Sequence, residues 1–288
     1  MRSGRPWIYA MMMTVALIGM SVLLREVPAH GAVTCSPTMS KTTDSDGDGL
    51  TDYQECYGIT LGDGTCVCGQ AGCCGGTAAK TQAPPLNPNM RDLFVIMAPV
   101  QSPATSYFPP APLPYVSNSQ SLGGLGITVH LISQGQVMKG STTGRNVTAT
   151  QSAAMVVENL SISNPNIMGY TNTGTPNGLD DSTIYTQNIV NQVTSLCPPS
   201  VTCYLGGSPA TPAAIINAYI MHTINHEVGH VLGPLAPVYN ANYGGYHYKT
   251  GTGVIMDQSV YYTSKGSTVT FYIGQTYEAG DQKAVKMK

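Results

Sequence analysis

Residues 222–233 read His-Thr-Ile-Asn-His-Glu-Val-Gly-His-Val-Leu-Gly, and His226, Glu227 and His230 within them make an H-E-x-x-H pattern. Four residues are slightly more than one helical turn, so on a helix both imidazoles leave the same face and can converge on one ion. The upstream text supplies that helix. Thr211 is an N-cap residue followed by Pro212 in the first turn, and an Ala- and Ile-rich run continues to Gly233-Pro234. In a chain of this length and composition, chance supplies the pattern about 0.002 times. Paired imidazoles suit zinc. Glu227 lies one step round the helix, where a carboxylate can take a proton from water and pass it to a leaving amine.

Two histidines do not complete a catalytic zinc site, because three protein ligands are needed. His222, His247 and Asp257 are the candidates for the third. His222 shares the face of His226, but three ligands strung along two turns span about 12 Å, which one zinc cannot bridge. It reads as a packing or supporting residue, and Asp257, beside Met256, reads as a turn residue. With Gly233, the pattern resembles the metzincin clan of metallopeptidases, whose signature is H-E-x-x-H-x-x-G-x-x-H followed by a Met-turn. Ala236 stands where the last histidine of that signature belongs. Leishmanolysin-type members carry an insertion at this point, and this chain is similar: a Pro-, Asn-, Tyr- and Gly-rich stretch separates Gly233 from His247. Gly253-Val-Ile-Met256-Asp257 looks like the Met-turn.

The resemblance is specific over 222–258 and extends more weakly over 86–288. It implies a secreted zinc endopeptidase of α+β class, a twisted sheet plus helices, acting on proteins or peptides. One catalytic Zn²⁺ would be held by His226, His230 and His247, with Glu227 as general base and Met256 beneath the ligands. The competing reading, which Ala236 keeps open, is a calcium-braced extracellular binding or adhesion protein with a degenerate zinc site. Tyr246, Tyr248, Tyr261 and Tyr262 are candidate hydrogen-bond donors to an oxyanion. His130 alternates with apolar residues in a strand and reads as structural.

A second metal pattern lies near the N-terminus. Asp44-Ser-Asp46-Gly-Asp48-Gly49-Leu50-Thr-Asp52-Tyr-Gln-Glu55 places acidic residues at positions 1, 3, 5, 9 and 12 of a calcium loop and Gly at position 6. The carboxylates of Asp44, Asp46, Asp48 and Glu55 and the carbonyl of Leu50 would surround one Ca²⁺, with Asp52 acting through water. Residues 34–43 contain Pro37 and show no helical face, so no EF-hand entering helix precedes the loop. The loop resembles those of thrombospondin type 3 and dockerin modules, which implies a structural brace and not a switch.

Outward from these motifs, Arg2 and Arg5 precede an uncharged apolar run from Ile8 to Leu24, with small residues at Ala29, Gly31 and Ala32. This reads as a signal peptide over 1–32, and no later run is long enough to span a bilayer. All eight cysteines lie beyond it, the expected disposition for disulfides in an exported chain. Cys197 and Cys203 are spaced to close a small loop, whereas Cys66, Cys68, Cys73 and Cys74 could pair or hold a metal. Residues 33–82 have almost no apolar periodicity and read as a Cys-rich calcium segment held by cross-links and ions. Residues 83–288 read as the zinc peptidase domain that the resemblance implies. Thirteen basic against fifteen acidic residues leave no basic footprint for nucleic acid. Strands are expected from Asp92-Leu-Phe-Val-Ile-Met97, over 126–133 and over 267–273, with a proline-rich loop over 99–114. Amphipathic helices are expected around 148–160 and 183–196.

Overall fold

The run Leu93-Phe-Val-Ile96 is apolar on both faces, a pattern that suits a strand covered on both sides. It forms an inner strand of a five-stranded sheet in the computed structural model. That structure describes residues 33–69, 85–98, 108, 125–133, 136, 153–159, 163–172, 180–233, 238–240, 245–248, 251, 254–257, 259–278, 281 and 285. The expected signal peptide, most of the proline-rich loop, Cys73 and Cys74 lie outside these residues. Along the chain run α1 (Asp52–Tyr57), β1 (Ile59–Thr60), β2 (Cys66–Val67), β3 (Arg91–Ala98), β4 (Ile127–Ile132) and β5 (Ala153–Asn159). Then follow β6 (Gly169–Asn172), β7 (Asp180–Tyr185), α2 (Thr186–Leu196), β8 (Thr202–Leu205), β9 (Ser208–Pro209) and α3 (Pro212–Val231). The last elements are β10 (Val238–Asn240), β11 (Gly245–His247), β12 (Tyr261–Lys265) and β13 (Thr268–Tyr272).

The class is α+β with two larger mixed sheets. Five strands lie in the order β4-β3-β5-β7-β6, parallel except for the antiparallel edge strand β6. Four more lie in the order β12-β13-β8-β9. The alternation of β3 decides what covers each face. Leu93 and Val95 join the main core with Ile189 and Val193 of α2 and Ile215, Ile220, Ile224 and Val228 of α3. Phe94 and Ile96 point the other way, against Leu50, Ile59, Leu61 and Val67 of the N-terminal segment. That segment therefore shares a small core with the sheet besides its cross-links, which its weak periodicity did not suggest.

Thr211 caps α3 by accepting from the Ala214 amide at 3.2 Å, as its sequence predicts. Gly233, at φ 121°, turns the chain away after the helix. One expectation fails: Ala153–Asn159 is a strand, not part of a helix over 148–160. Ala-Ala-Met-Val-Val suits either period, and parallel pairing with β3 on one side and β7 on the other decides for extended backbone. The next helix begins at Thr186, because Thr183, Ile184 and Tyr185 belong to β7. The strand expected over 267–273 is β13, and those expected from Asp92 and over 126–133 are β3 and β4. Disulfides join Cys35 to Cys56 and Cys197 to Cys203, the latter as its spacing predicts. Cys66 and Cys68 are disulfide-bonded too, so they do not form a thiolate metal site. No helix among the described residues is long and apolar enough to cross a membrane.

Candidate metal centres

His226 and His230 leave one face of α3, and β11 delivers His247 to the same point. Each offers a ring nitrogen, and the three nitrogens lie within 4.8 Å of one another. Nε2 of His226 and Nε2 of His230 are 3.1 Å apart. Two nitrogens on a tetrahedral zinc at ordinary bond lengths would be about 3.3 Å apart, so this pair fits such an ion with little movement. Nδ1 of His226 donates to the Ile255 carbonyl at 2.7 Å, which leaves the lone pair on Nε2, facing the cluster. Burial and the neighbouring imidazoles hold the His226 pKa well below its ordinary value. Burial, then His247, lowers that of His230 to about 4. Both rings are thus neutral and able to coordinate near neutral pH.

The Ile255 carbonyl belongs to a turn in which the Asp257 amide donates to the Val254 carbonyl at 3.3 Å, and Met256 in that turn is fully buried in the main core. The turn is where the Met-turn resemblance falls. Asp257 lies outside the histidine cluster, and so does His222, whose Nδ1 donates to the Gly274 carbonyl at 2.8 Å. Of the candidate third ligands, only His247 joins the other two.

Glu227 is buried beside the cluster. Thr171 on edge strand β6 donates through Oγ1 to Glu227 Oε2 at 2.7 Å. Burial raises the Glu227 pKa to about 7, and the Thr171 hydrogen bond acts against the rise. A Cβ at Gly169 would collide with the side chains of Glu227 and Thr223, so the missing side chain lets β6 lie close to α3. Tyr248 donates to Asp281 at 2.9 Å, while Tyr261 and Tyr262 lie exposed on the β12–β13 hairpin. Among these three tyrosines, none is shown aimed at the histidines.

In the twelve-residue acidic loop, Asp44, Asp46 and Asp48 present oxygens within 4.8 Å of one another, and Asp48 does the same with Glu55 and Asp92. Asp44 also accepts from the amides of Gly47 and Gly49, at 2.7 and 3.0 Å, which curls the loop. Asp52 is in neither cluster, for its two oxygens accept from Ser45 N and Ser45 Oγ, each at 2.8 Å. The Leu50 side chain anchors the loop in the small core and its amide donates to Asp48 Oδ1 at 2.7 Å. Without an ion, burial and mutual repulsion push the pKa of Asp46 to about 8, that of Asp48 to about 7 and that of Glu55 to about 11. Both oxygens of Asp46 and both of Glu55 are buried without a hydrogen-bond partner. A multivalent cation meets that demand, and an oxygen-only donor set suits calcium.

Thr171, the Ile255 carbonyl and Asp92 were not singled out from sequence. The first two carry no local signal. Asp92 had one, a charge inside an otherwise apolar strand, which burial obliges to find a partner. Comparison with known protein families, with curated proteins and with solved structures found no match to this chain.

Proposed function

We propose that this chain is a secreted, metzincin-like zinc endopeptidase braced by calcium. The observation that carries the reading is the convergence of His226, His230 and His247 beside a buried Glu227. Three imidazoles are a donor set that leaves one position of a tetrahedron to something other than protein. When bound, zinc supplies Lewis acidity toward water and the scissile carbonyl. Glu227, with a pKa near 7, can accept a proton at its carboxylate and return it to the leaving amine nitrogen. Thr171 Oγ1 pins Glu227 Oε2, which orients the carboxylate and limits its rotation. The carbonyl of Ile255 holds the His226 ring in register. The turn at Met256 and the histidine arriving after a long insertion favour the metzincin resemblance over other H-E-x-x-H peptidases. Disulfides favour an oxidising compartment outside the cytoplasm.

The decisive experiment is cleavage of an unfolded protein by the purified chain, with metal content measured alongside. One zinc per chain, with cleavage that stops on chelation and returns with zinc, is the expected outcome. Absence of bound zinc would overturn the peptidase reading and favour the binding-protein reading with its degenerate zinc site, and zinc bound tightly without any cleavage would overturn the peptidase reading alone.

A further inference from the structure

Asp92 belongs to no part of the twelve-residue loop, being the second residue of β3, yet its carboxylate joins those of Asp48 and Glu55. All three residues are fully buried, and neither oxygen of Glu55 has a hydrogen-bond partner. Among the described residues no lysine or arginine pairs with Asp46, Asp48 or Glu55, and an ion pair joins His130 to Asp92. Buried carboxylates gathered this closely stay ionised only with a cation between them.

The end of β3 is built to meet the loop. The Asp92 amide donates to Asp48 Oδ2 at 2.5 Å, and Arg91 Nε donates to the Asp46 carbonyl at 2.9 Å. Asp92 itself is held from behind. His130 Nε2 on β4 lies 2.8 Å from its Oδ1, and the Asn87 amide donates to its Oδ2 at 3.2 Å. The His130 ring is fully buried and stacks on Phe94 at 4.8 Å between centroids. A carboxylate offers about four lone-pair sites, so the His130 and Asn87 hydrogen bonds orient Asp92 without exhausting its capacity as a ligand. An imidazole behind a ligating carboxylate is the kind of outer support that fixes ligand orientation. Meanwhile Asp52, the loop's own ninth-position carboxylate, is committed to Ser45.

We infer that Asp92 is a calcium ligand contributed by the sheet, oriented by His130, so that the ion bonds the N-terminal loop directly to β3. The inference rests on the reading of residues 44–55 as a calcium loop. It makes the ion a cross-link between loop and sheet, where a self-contained loop would bind calcium equally well without β3.

Calcium titration of the full-length mature chain tests it, with Asp92→Asn as the variant. Asp92→Asn should raise the calcium Kd by about tenfold or more, since ligand charge sets affinity in such sites. His130→Gln should raise it by a smaller factor. An unchanged Kd in Asp92→Asn overturns the inference while leaving the loop intact. An unaltered chain that binds no calcium overturns the loop reading and the inference together. Should Asp92→Asn fail to fold, a calcium-loaded crystal structure of the unaltered chain decides. An Asp92 oxygen at about 2.3–2.6 Å from the ion supports the inference. An ion coordinated without Asp92 overturns it.

Discussion

At the scale of single residues, the proposed function separates Glu227, which would carry protons, from the histidines, which would hold the metal. Glu227→Ala should keep zinc and lose hydrolysis by about 10²–10⁴-fold, because the residue is placed to carry protons and not to coordinate. Zinc content and turnover measured on one sample check it. Thr171→Val removes a hydrogen bond that lowers the Glu227 pKa, so that pKa should rise. The base works when deprotonated, and the acidic limb of the pH–rate profile should therefore move to higher pH. His247→Ala should strip zinc and activity together. His222→Ala should keep the metal and cost stability instead, because it deletes a buried donor to the Gly274 carbonyl and opens space beside α3. Loss of zinc in His222→Ala, with retention in His247→Ala, would reverse the ligand assignment.

At the scale of elements, the site depends on how closely β6 lies against α3. Gly169 has no Cβ, and any side chain there would strike Glu227 and Thr223. Gly169→Ala should push the edge strand outward, loosen the Thr171 hydrogen bond and lower kcat, with zinc affinity unchanged; kinetics and metal content read this directly. Helix α3 was legible in advance because its cap, its proline and its paired histidines are all local to one segment. β5 was not legible. Its apolar residues fit helix and strand alike, and only β3 and β7 on either side select the strand. The short strands β8 to β12 escaped for the same reason: each is made by its partner, and residues such as Gly245 and Pro209 carry no strand preference.

At the scale of the whole molecule, calcium should govern stability with a definite dependence on pH. In the ion-free chain, Asp46, Asp48 and Glu55 have pKa values above their ordinary ones. The folded state then binds protons more tightly than the unfolded chain, so their contribution is full below the ordinary carboxylate range and is lost as pH rises through the folded values. His222, His226 and His230, whose pKa values the fold lowers, oppose this trend only until pH passes the ordinary histidine range. Calcium-free protein should therefore melt at progressively lower temperature between about pH 6.5 and 8.5, through the values of Asp48 and Asp46. Saturating calcium should abolish that fall, since it binds the ionised carboxylates and stabilises the folded state by mass action. Thermal melts across this range, with and without calcium, check both halves. Identical melts would show that the ion does not hold the loop to the sheet.

The sequence by itself determined whatever rests on spacing within one segment. Two imidazoles one turn apart with Glu227 between them, the twelve-residue acidic loop and the Cys197–Cys203 pair are all of this kind. Helical pitch and loop length leave little choice in those cases. The tertiary structure alone decided what arrives from elsewhere. His247 reaches the helix across an irregular stretch, Thr171 reaches Glu227 from 56 residues away, and Asp92 reaches Asp48 from 44 away. Nothing local specifies such meetings. They follow from which strands pair, because β6 at one edge of the sheet lies against α3 and the outward face of β3 receives the acidic loop.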